Sequence, residues 1–345
     1  MKGVSTGNSK PEQKNGWQPT RPELSIAAYV SGVTGGDRTV LGRAITLIES
    51  NSNRHIKMAQ ELLKALPSDS DNTLRIGITG VPGAGKSTFI EVLGQKLIAK
   101  GHRIAVLAID PSSTLTRGSI LGDKTRMEEL SRSDQCFIRP SPAGGTLGGV
   151  TRKTRETIQV CEAADYDVIF VETVGVGQNE VVVRSMVDFF LLLKIAGAGD
   201  ELQGIKKGVI ELADAIIINK ADGDNITAAE TARADFQRAL HYLAPATPGW
   251  TSNAFCVSAI EYTGVTEIWE VILKFFEHTR THQIYHKRRQ SQRREWMHAM
   301  LVDFLSDRFY KNPTIKKMIP LLEEAVENGT IPVTEAVQKL LKLHQ

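Results

Sequence analysis

The chain has 345 residues, 41% hydrophobic and 23% charged, a balance that excludes a disordered or fibrous protein at a length beyond the roughly 250–300 residues where one core stops growing. With 42 basic and 39 acidic residues the net charge is +3, which excludes general affinity for nucleic acid or membrane as a reading of the whole molecule. Three scattered cysteines, Cys136, Cys161 and Cys256, offer neither a disulfide framework nor a zinc site and fit a reducing compartment, bacterial cytoplasm or mitochondrial matrix.

Residues 1–20 hold Lys, Asn, Gln, Gly and Pro without an apolar segment, which predicts a disordered tail rather than a secretory signal. Asp37 is placed as the N-cap of a helix whose Leu41, Ala44, Ile45 and Ile48 follow the 3.6-residue repeat. A second helix, about Arg54 to Ala65, completes an N-terminal helical hairpin within residues 21–70, ended by the polar linker 67–72. From Leu74 short β-branched runs alternate with amphipathic stretches, the pattern of βα units and a mostly parallel sheet flanked by helices. Strands are predicted at Leu74–Thr79, Ile104–Ile109, Gln135–Ile138, Val168–Val171, Phe189–Ile195, Ala215–Ile218 and Ala254–Val257. The most apolar stretch, Val181–Ala196, is interrupted by Arg184, Asp188 and Lys194, short of the roughly 20 apolar residues a membrane helix needs, so no membrane partner is expected.

Beyond about Thr279 the strand pattern stops, and residues 280–345 read as a helical arm with breaks near Pro313 and Pro332 that the sheet does not need. Within it Trp296, Met300 and Phe304, then Leu321, Leu322 and Ala325, are spaced for burial. An arm too thin to cover such faces alone predicts a homodimer.

Gly80-Val81-Pro82-Gly83-Ala84-Gly85-Lys86-Ser87 matches G-x-x-x-x-G-K-[ST], after an apolar strand and before an amphipathic helix that opens with Ser87 and Thr88. Glycines let the backbone wrap a phosphate chain and aim N–H groups at it, with the helix N-terminus adding positive potential. Lys86 supplies a point charge to the β- and γ-phosphates, and the Ser87 hydroxyl is a ligand for Mg²⁺. Residues 71–279 are therefore expected to form a P-loop NTPase unit.

Asn219-Lys220-Ala-Asp222 follows a buried strand, at the edge where ligands sit in open α/β sheets. Its order suits guanine, because an Asp carboxylate accepts from N1–H and the exocyclic amine together while adenine has no such donor pair. The substrate and product are then GTP and GDP. Ser258-Ala259, after the last strand, fits a loop completing the base site, and fits an ordinary turn equally well. Asp110 and Glu172 end strands, and Asp123 lies in a polar, Gly-containing segment; three such acids around one phosphate loop favour Mg²⁺ contacts. Glu172-Thr-Val-Gly175 departs from the usual D-x-x-G switch in its acid, and Gly175 can offer its N–H to the γ-phosphate. Gln178, Arg126 and Lys206 or Lys207 are candidates for orienting water or neutralising charge, though each suits a surface position as well.

Taken together, GVPGAGKST, AIDPSS, GSILGDKTRM, GGTLGG, VETVGVGQNE, AGAGDELQGIKKG and INKADGDN resemble the MeaB/ArgK-type GTPases, chaperones of adenosylcobalamin-dependent acyl-CoA mutases. The resemblance implies a homodimer held by the C-terminal arm, and a client such as methylmalonyl-CoA mutase that the GTPase protects and whose cofactor loading it gates. It also implies Mg²⁺ contacts from Ser87, Asp110, Asp123 and Glu172, and an additional switch at Ala196–Lys207 with Lys206 neutralising charge. Related metal-insertion GTPases carry Cys/His motifs that this chain lacks.

Two rival readings stand beside this one: a P-loop kinase or ATPase associated with amino-acid transport, and a nucleic-acid-associated GTPase using the basic run Lys287-Arg-Arg289 and Arg293-Arg294. The guanine motif argues against the first, and the lack of aromatic-interleaved RNA motifs against the second. His278, His282 and His286 share helical spacing suited to a metal, but with no acid or Cys beside them a solvated face is the better reading.

Overall fold

The computed structural model describes residues 23–67, 71–109, 127–141, 147–173, 179–197 and 207–343. Its centre is a seven-stranded, entirely parallel sheet of order β3-β2-β4-β1-β5-β6-β7. The strands are β1 (Leu74–Gly80), β2 (Ile104–Ile109), β3 (Cys136–Ser141), β4 (Val168–Thr173), β5 (Phe189–Ile195), β6 (Ala215–Asn219) and β7 (Asn253–Cys256). Alternate residues feed opposite faces, as the pleat requires. Ile104, Phe170, Leu191 and Ile217 enter one core with Phe89, Leu93 and Trp269, while Leu107, Val171, Leu192 and Ile216 enter the other with Leu41, Ile45 and Phe236. Helices on both faces are what an all-parallel sheet needs, because neither face is left to water.

Those helices are α1 (Ile26–Thr34), α2 (Arg38–Glu49), α3 (Asn53–Ala65), α4 (Lys86–Ala99), α5 (Glu128–Arg132), α6 (Leu147–Ala163), α7 (Asn179–Arg184), α8 (Lys207–Ile210), α9 (Ile226–His241) and α10 (Val265–Thr281), followed by α11 (Ile284–Tyr310), α12 (Pro313–Glu327) and α13 (Val333–Lys342). Asp37 does cap α2, its Oδ1 accepting from Thr39 N at 2.8 Å and Val40 N at 3.1 Å. The N-terminal region holds three helices rather than the expected hairpin. The extra one, α1, is nine residues of mostly apolar or small side chains, IAAYVSGVT, in which no polar face alternates to reveal the period; only Tyr29 and Val33, one turn apart, are buried.

Four strands run further than the apolar pattern indicates. β1, β4 and β6 continue into Gly80, Thr173 and Asn219, polar or small positions that the ladder still pairs. β3 continues through Pro140, which is tolerated because β3 is an edge strand and Pro lacks only a donor.

The arm begins later than the strand pattern suggested. The first half of α11 lies against the N-terminal ends of the strands, where Arg289 donates Nε to Asp188 Oδ1 at 2.9 Å and Nη2 to Asp188 Oδ2 at 2.7 Å and to Thr73 O at 2.8 Å. Arg75 N also donates to Asp188. Burial alone would raise the Asp188 carboxyl, but Arg289 and Arg75 hold it below the ordinary carboxylate range. The sheet therefore does use this part of the C-terminal region. Past Trp296 the character changes, and Met297, Leu301, Val302 and Leu305 are each more than half exposed.

Candidate nucleotide-binding site

The loop between β1 and α4 sits at the C-terminal edge of the sheet's centre, the ligand edge of such folds. Gly80 runs at φ +150°, and a Cβ there would lie 2.1 Å from the Leu193 carbonyl of β5, so no side chain fits. Gly85 takes φ +82°, and its Cβ would meet Asn219 Nδ2 at 2.5 Å. Ala84 is fully buried, Pro82 and Gly83 are exposed, and Val81 is half-buried. Lys86 opens α4, and its Nζ donates to Gly80 O at 2.9 Å and Val81 O at 3.2 Å, which holds the ammonium inside the curve of the loop. Phe89, Ile90, Leu93 and Leu97 bury the inner face of α4, so the loop's helical end is anchored by core packing.

Next to Lys86, Ser87 Oγ donates to Glu172 Oε1 at 3.0 Å. Register explains the meeting: β4 pairs with β1, with Ile78 opposite Glu172, so the end of β4 lies level with the start of the loop. Glu172 is buried. One residue on, Thr173 Oγ1 and Thr79 Oγ1 are 2.8 Å apart, a cross-strand tie that fixes the two strand ends together. A hydroxyl and a carboxylate side by side are hard oxygen donors of the kind Mg²⁺ takes, so the donor chemistry here fits that ion.

On the other side of β1, β6 delivers Asn219, which is 2% exposed. Its Nδ2 donates to Ala84 O at 2.7 Å, while its Oδ1 is buried without a partner among the described residues. Lys220 follows in a left-handed conformation, φ 59°, and its carbonyl accepts from Asn225 Nδ2 at 2.6 Å. Asp222 Oδ2 accepts from Ser258 Oγ at 2.5 Å, and Ala221 N donates to Val257 O at 3.1 Å. Ser258 is locked in turn by a two-way backbone bridge with Thr263 and by Glu261 N donating to its Oγ at 3.0 Å; Ala259 beside it is buried.

The chain matches the family model of the methylmalonyl-CoA mutase-associated GTPase MeaB over residues 41–314. The chain belongs to the MeaB family. Among its relatives, a putative GTPase of Caulobacter vibrioides is 51% identical over 320 residues, covering 93% of this chain and 98% of that protein. The mitochondrial methylmalonic aciduria type A homolog of Mus musculus is 44% identical over 322 residues, covering 90% and 78% respectively. The crystal structure of an LAO/AO transport system kinase superposes with a TM-score of 0.74 at 37% identity, covering 94% of this chain and 98% of that one.

As a MeaB-family protein the chain is a GTPase. The geometry brings together Gly80–Ser87, Glu172, Asn219, Asp222 and Ser258-Ala259, whereas Asp110, Asp123, Arg126, Gly175, Gln178 and Lys206 lie outside the described residues. Thr88 is exposed on the first turn of α4. Sequence reasoning missed the Asn219 bond to the phosphate loop and the Thr79–Thr173 tie, and the only available signal was that all four partners end or follow strands. The histidine row is not a metal cluster: His278 Nε2 lies 3.1 Å from Pro248 O and His282 Nδ1 2.8 Å from His278 O. Among the described residues no group of three or more His, Cys, Asp or Glu is placed to hold a metal ion, and no helix is long and apolar enough to cross a membrane.

Proposed function

We propose that this GTPase uses Mg²⁺-dependent GTP hydrolysis to chaperone an adenosylcobalamin-dependent acyl-CoA mutase of the methylmalonyl-CoA mutase type, protecting it and gating the loading of its cofactor. The observation that carries the reading is the joined pair of loops: Asn219 bonded to Ala84 puts a guanine-selective motif directly against a phosphate loop. Family membership supplies the link to a mutase, and the name of the murine relative agrees with it.

In this reading the backbone of Gly80–Ser87 and the Lys86 ammonium hold the phosphates, with Thr88 at their edge. Asp222 accepts the two guanine donors, and the Ser258 hydroxyl, already bonded to it, keeps the carboxylate turned to the base. Lys220 and the Ala259 backbone flank the ring. Ser87 and Glu172, with Asp110 and Asp123, would hold Mg²⁺, which when bound neutralises charge on the β- and γ-phosphate oxygens. Gly175, Gln178, Arg126 and Lys206 are the proposed switch residues that sense the γ-phosphate.

The protein is further proposed to act as a homodimer. Support comes from the apolar residues left exposed on α11–α13, among them Leu301, Leu305, Leu321 and Val337, more than a monomer's surface ordinarily shows in one region. The compartment is the bacterial cytoplasm, or the mitochondrial matrix in a eukaryote.

The test is retention of the mutase from native extract on the immobilised full-length protein, charged in parallel with a non-hydrolysable GTP analogue or GDP. Nucleotide-dependent retention of a cobalamin mutase is expected, together with a change in its rate of cofactor uptake. Equal recovery with both nucleotides and unchanged uptake would remove the chaperone reading while leaving the GTPase intact.

A further inference from the structure

The phosphate loop leaves the sheet at the seam between β1 and β4, and the pairing of those two strands stops there. β4 keeps register with β1 from Leu74 opposite Val168 to Ile78 opposite Glu172. One residue on, the ladder partners lie outward instead: Thr79 is opposite Leu192 of β5, and Thr173 is opposite Ile109 of β2. The next link across the seam is made by side chains, the 2.8 Å contact of Thr79 Oγ1 with Thr173 Oγ1.

Ile109, Thr173, Thr79 and Leu192 thus form a row across four neighbouring strands. The two threonines are 2% and 1% exposed, and both flanking residues belong to the apolar core. Valine has the same β-branched shape and would fill either threonine site without a polar atom to satisfy. The hydroxyls are tolerated because each answers the other. What they add is a fixed distance across the seam where the backbone ladder no longer supplies one. On one side Thr79 precedes Gly80, whose carbonyl accepts from Lys86 Nζ at 2.9 Å. On the other Thr173 follows Glu172, whose Oε1 accepts from Ser87 Oγ at 3.0 Å. The link therefore stands between the phosphate loop and the strand end that brings the carboxylate to it.

We propose that Thr79 and Thr173 are positioning residues for the magnesium site, their hydroxyl bond holding the Glu172 carboxylate against Ser87. The proposal rests on the assignment of Mg²⁺ to Ser87 and Glu172 made above. Mg²⁺ demands near-ideal octahedral geometry at about 2.0–2.1 Å, so a strand end free to drift by a fraction of an ångström no longer presents its carboxylate where the ion needs it. Neither threonine touches nucleotide or metal in this scheme. One acts through the backbone of Gly80, the other through that of Glu172.

The readout is the release rate of a fluorescent GDP from the full-length protein, titrated with Mg²⁺ from EDTA upward, which reports the ion without calling on turnover. Thr173→Val should raise the Mg²⁺ concentration that half-maximally slows release roughly tenfold, the effect of one lost hydrogen bond. Thr173→Ser keeps the hydroxyl and should restore it. The Thr79→Val, Thr173→Val double variant is decisive. Removing both hydroxyls leaves no polar atom unpaired, so its thermal midpoint should stay within a few degrees of wild type. Its Mg²⁺ requirement should nonetheless remain raised roughly tenfold, because the link is gone. GDP affinity in EDTA should be unchanged in every variant, which shows that each is folded. Glu172→Gln tests the metal assignment separately: an unaltered Mg²⁺ requirement there removes the assignment and the proposal together. A shift in Glu172→Gln with none in the double variant overturns the positioning role alone, as does a Thr173→Ser protein no better than Thr173→Val.

Discussion

Asn219 Nδ2 and the Ala84 carbonyl meet at 2.7 Å, 135 residues apart in the chain, so the turn after β6 and the loop after β1 are a single unit. Both partners are buried, and loss of the amide leaves the carbonyl unpaired at a cost of roughly 1–3 kcal/mol. Asn219→Ala should therefore weaken GDP binding by more than about tenfold and lower the thermal midpoint by a few degrees. Nucleotide titration with a thermal melt checks this. Unaltered GDP affinity would mean that the two loops are positioned independently.

Base choice is the next prediction. In Asp222→Asn the side-chain oxygen still accepts from Ser258 Oγ, so the loop keeps its shape. The new amide can donate to the 2-oxo group of xanthine but cannot accept two guanine protons. Preference should move from GTP towards xanthosine triphosphate by at least about a hundredfold, the scale on which hydrogen-bonding sites discriminate. A competition assay decides it, and an unchanged preference would place the base elsewhere.

Glu156, on α6, gives a pH dependence with a definite sign. Burial raises its carboxyl to about 7 against the opposing pull of Arg152 and Lys153, so the folded protein holds a proton there that the unfolded chain has released. The group's contribution is fully present below the unfolded value of 4.5 and is lost as pH rises through about 7, in total on the order of 3 kcal/mol. Glu156→Gln cannot titrate and should flatten this part of the profile, gaining on the wild type from pH 5 to pH 8. Urea unfolding of both proteins at the two pH values is the measurement, and parallel profiles would show that Glu156 titrates normally.

The exposed apolar stripe past Trp296 bears on assembly. Leu301 and Leu305 are one helical turn apart on α11, each 54% exposed. The double substitution Leu301→Glu and Leu305→Glu should convert a dimer to a monomer while GTP binding is retained, because neither residue belongs to the phosphate loop or the base loops. Light scattering at micromolar concentration reads the mass. A wild type that is itself monomeric would show that the stripe serves some other contact.

The parallel sheet and the phosphate loop were legible in the sequence because both are written in neighbouring residues. Short, almost continuously apolar runs mark β2 and β5, and the Gly80–Ser87 pattern needs no distant partner to be recognised. The run of β3 through Pro140 and helix α1 were not legible: one depends on which strand lies at the sheet's edge, the other on the surface that α2, α3 and α6 present to α1. The same limit applies at the site. Asn219, Asp222 and Ser258 each stand out as residue types after strands, but that Asn219 holds Ala84 and Ser258 holds Asp222 follows from strand order, which puts β1, β5, β6 and β7 side by side. Arg289 reads in sequence as one cation of a basic surface run. Only packing made it the buried partner of Asp188, since a charge loses its water only where the folded chain supplies an opposite charge to replace it.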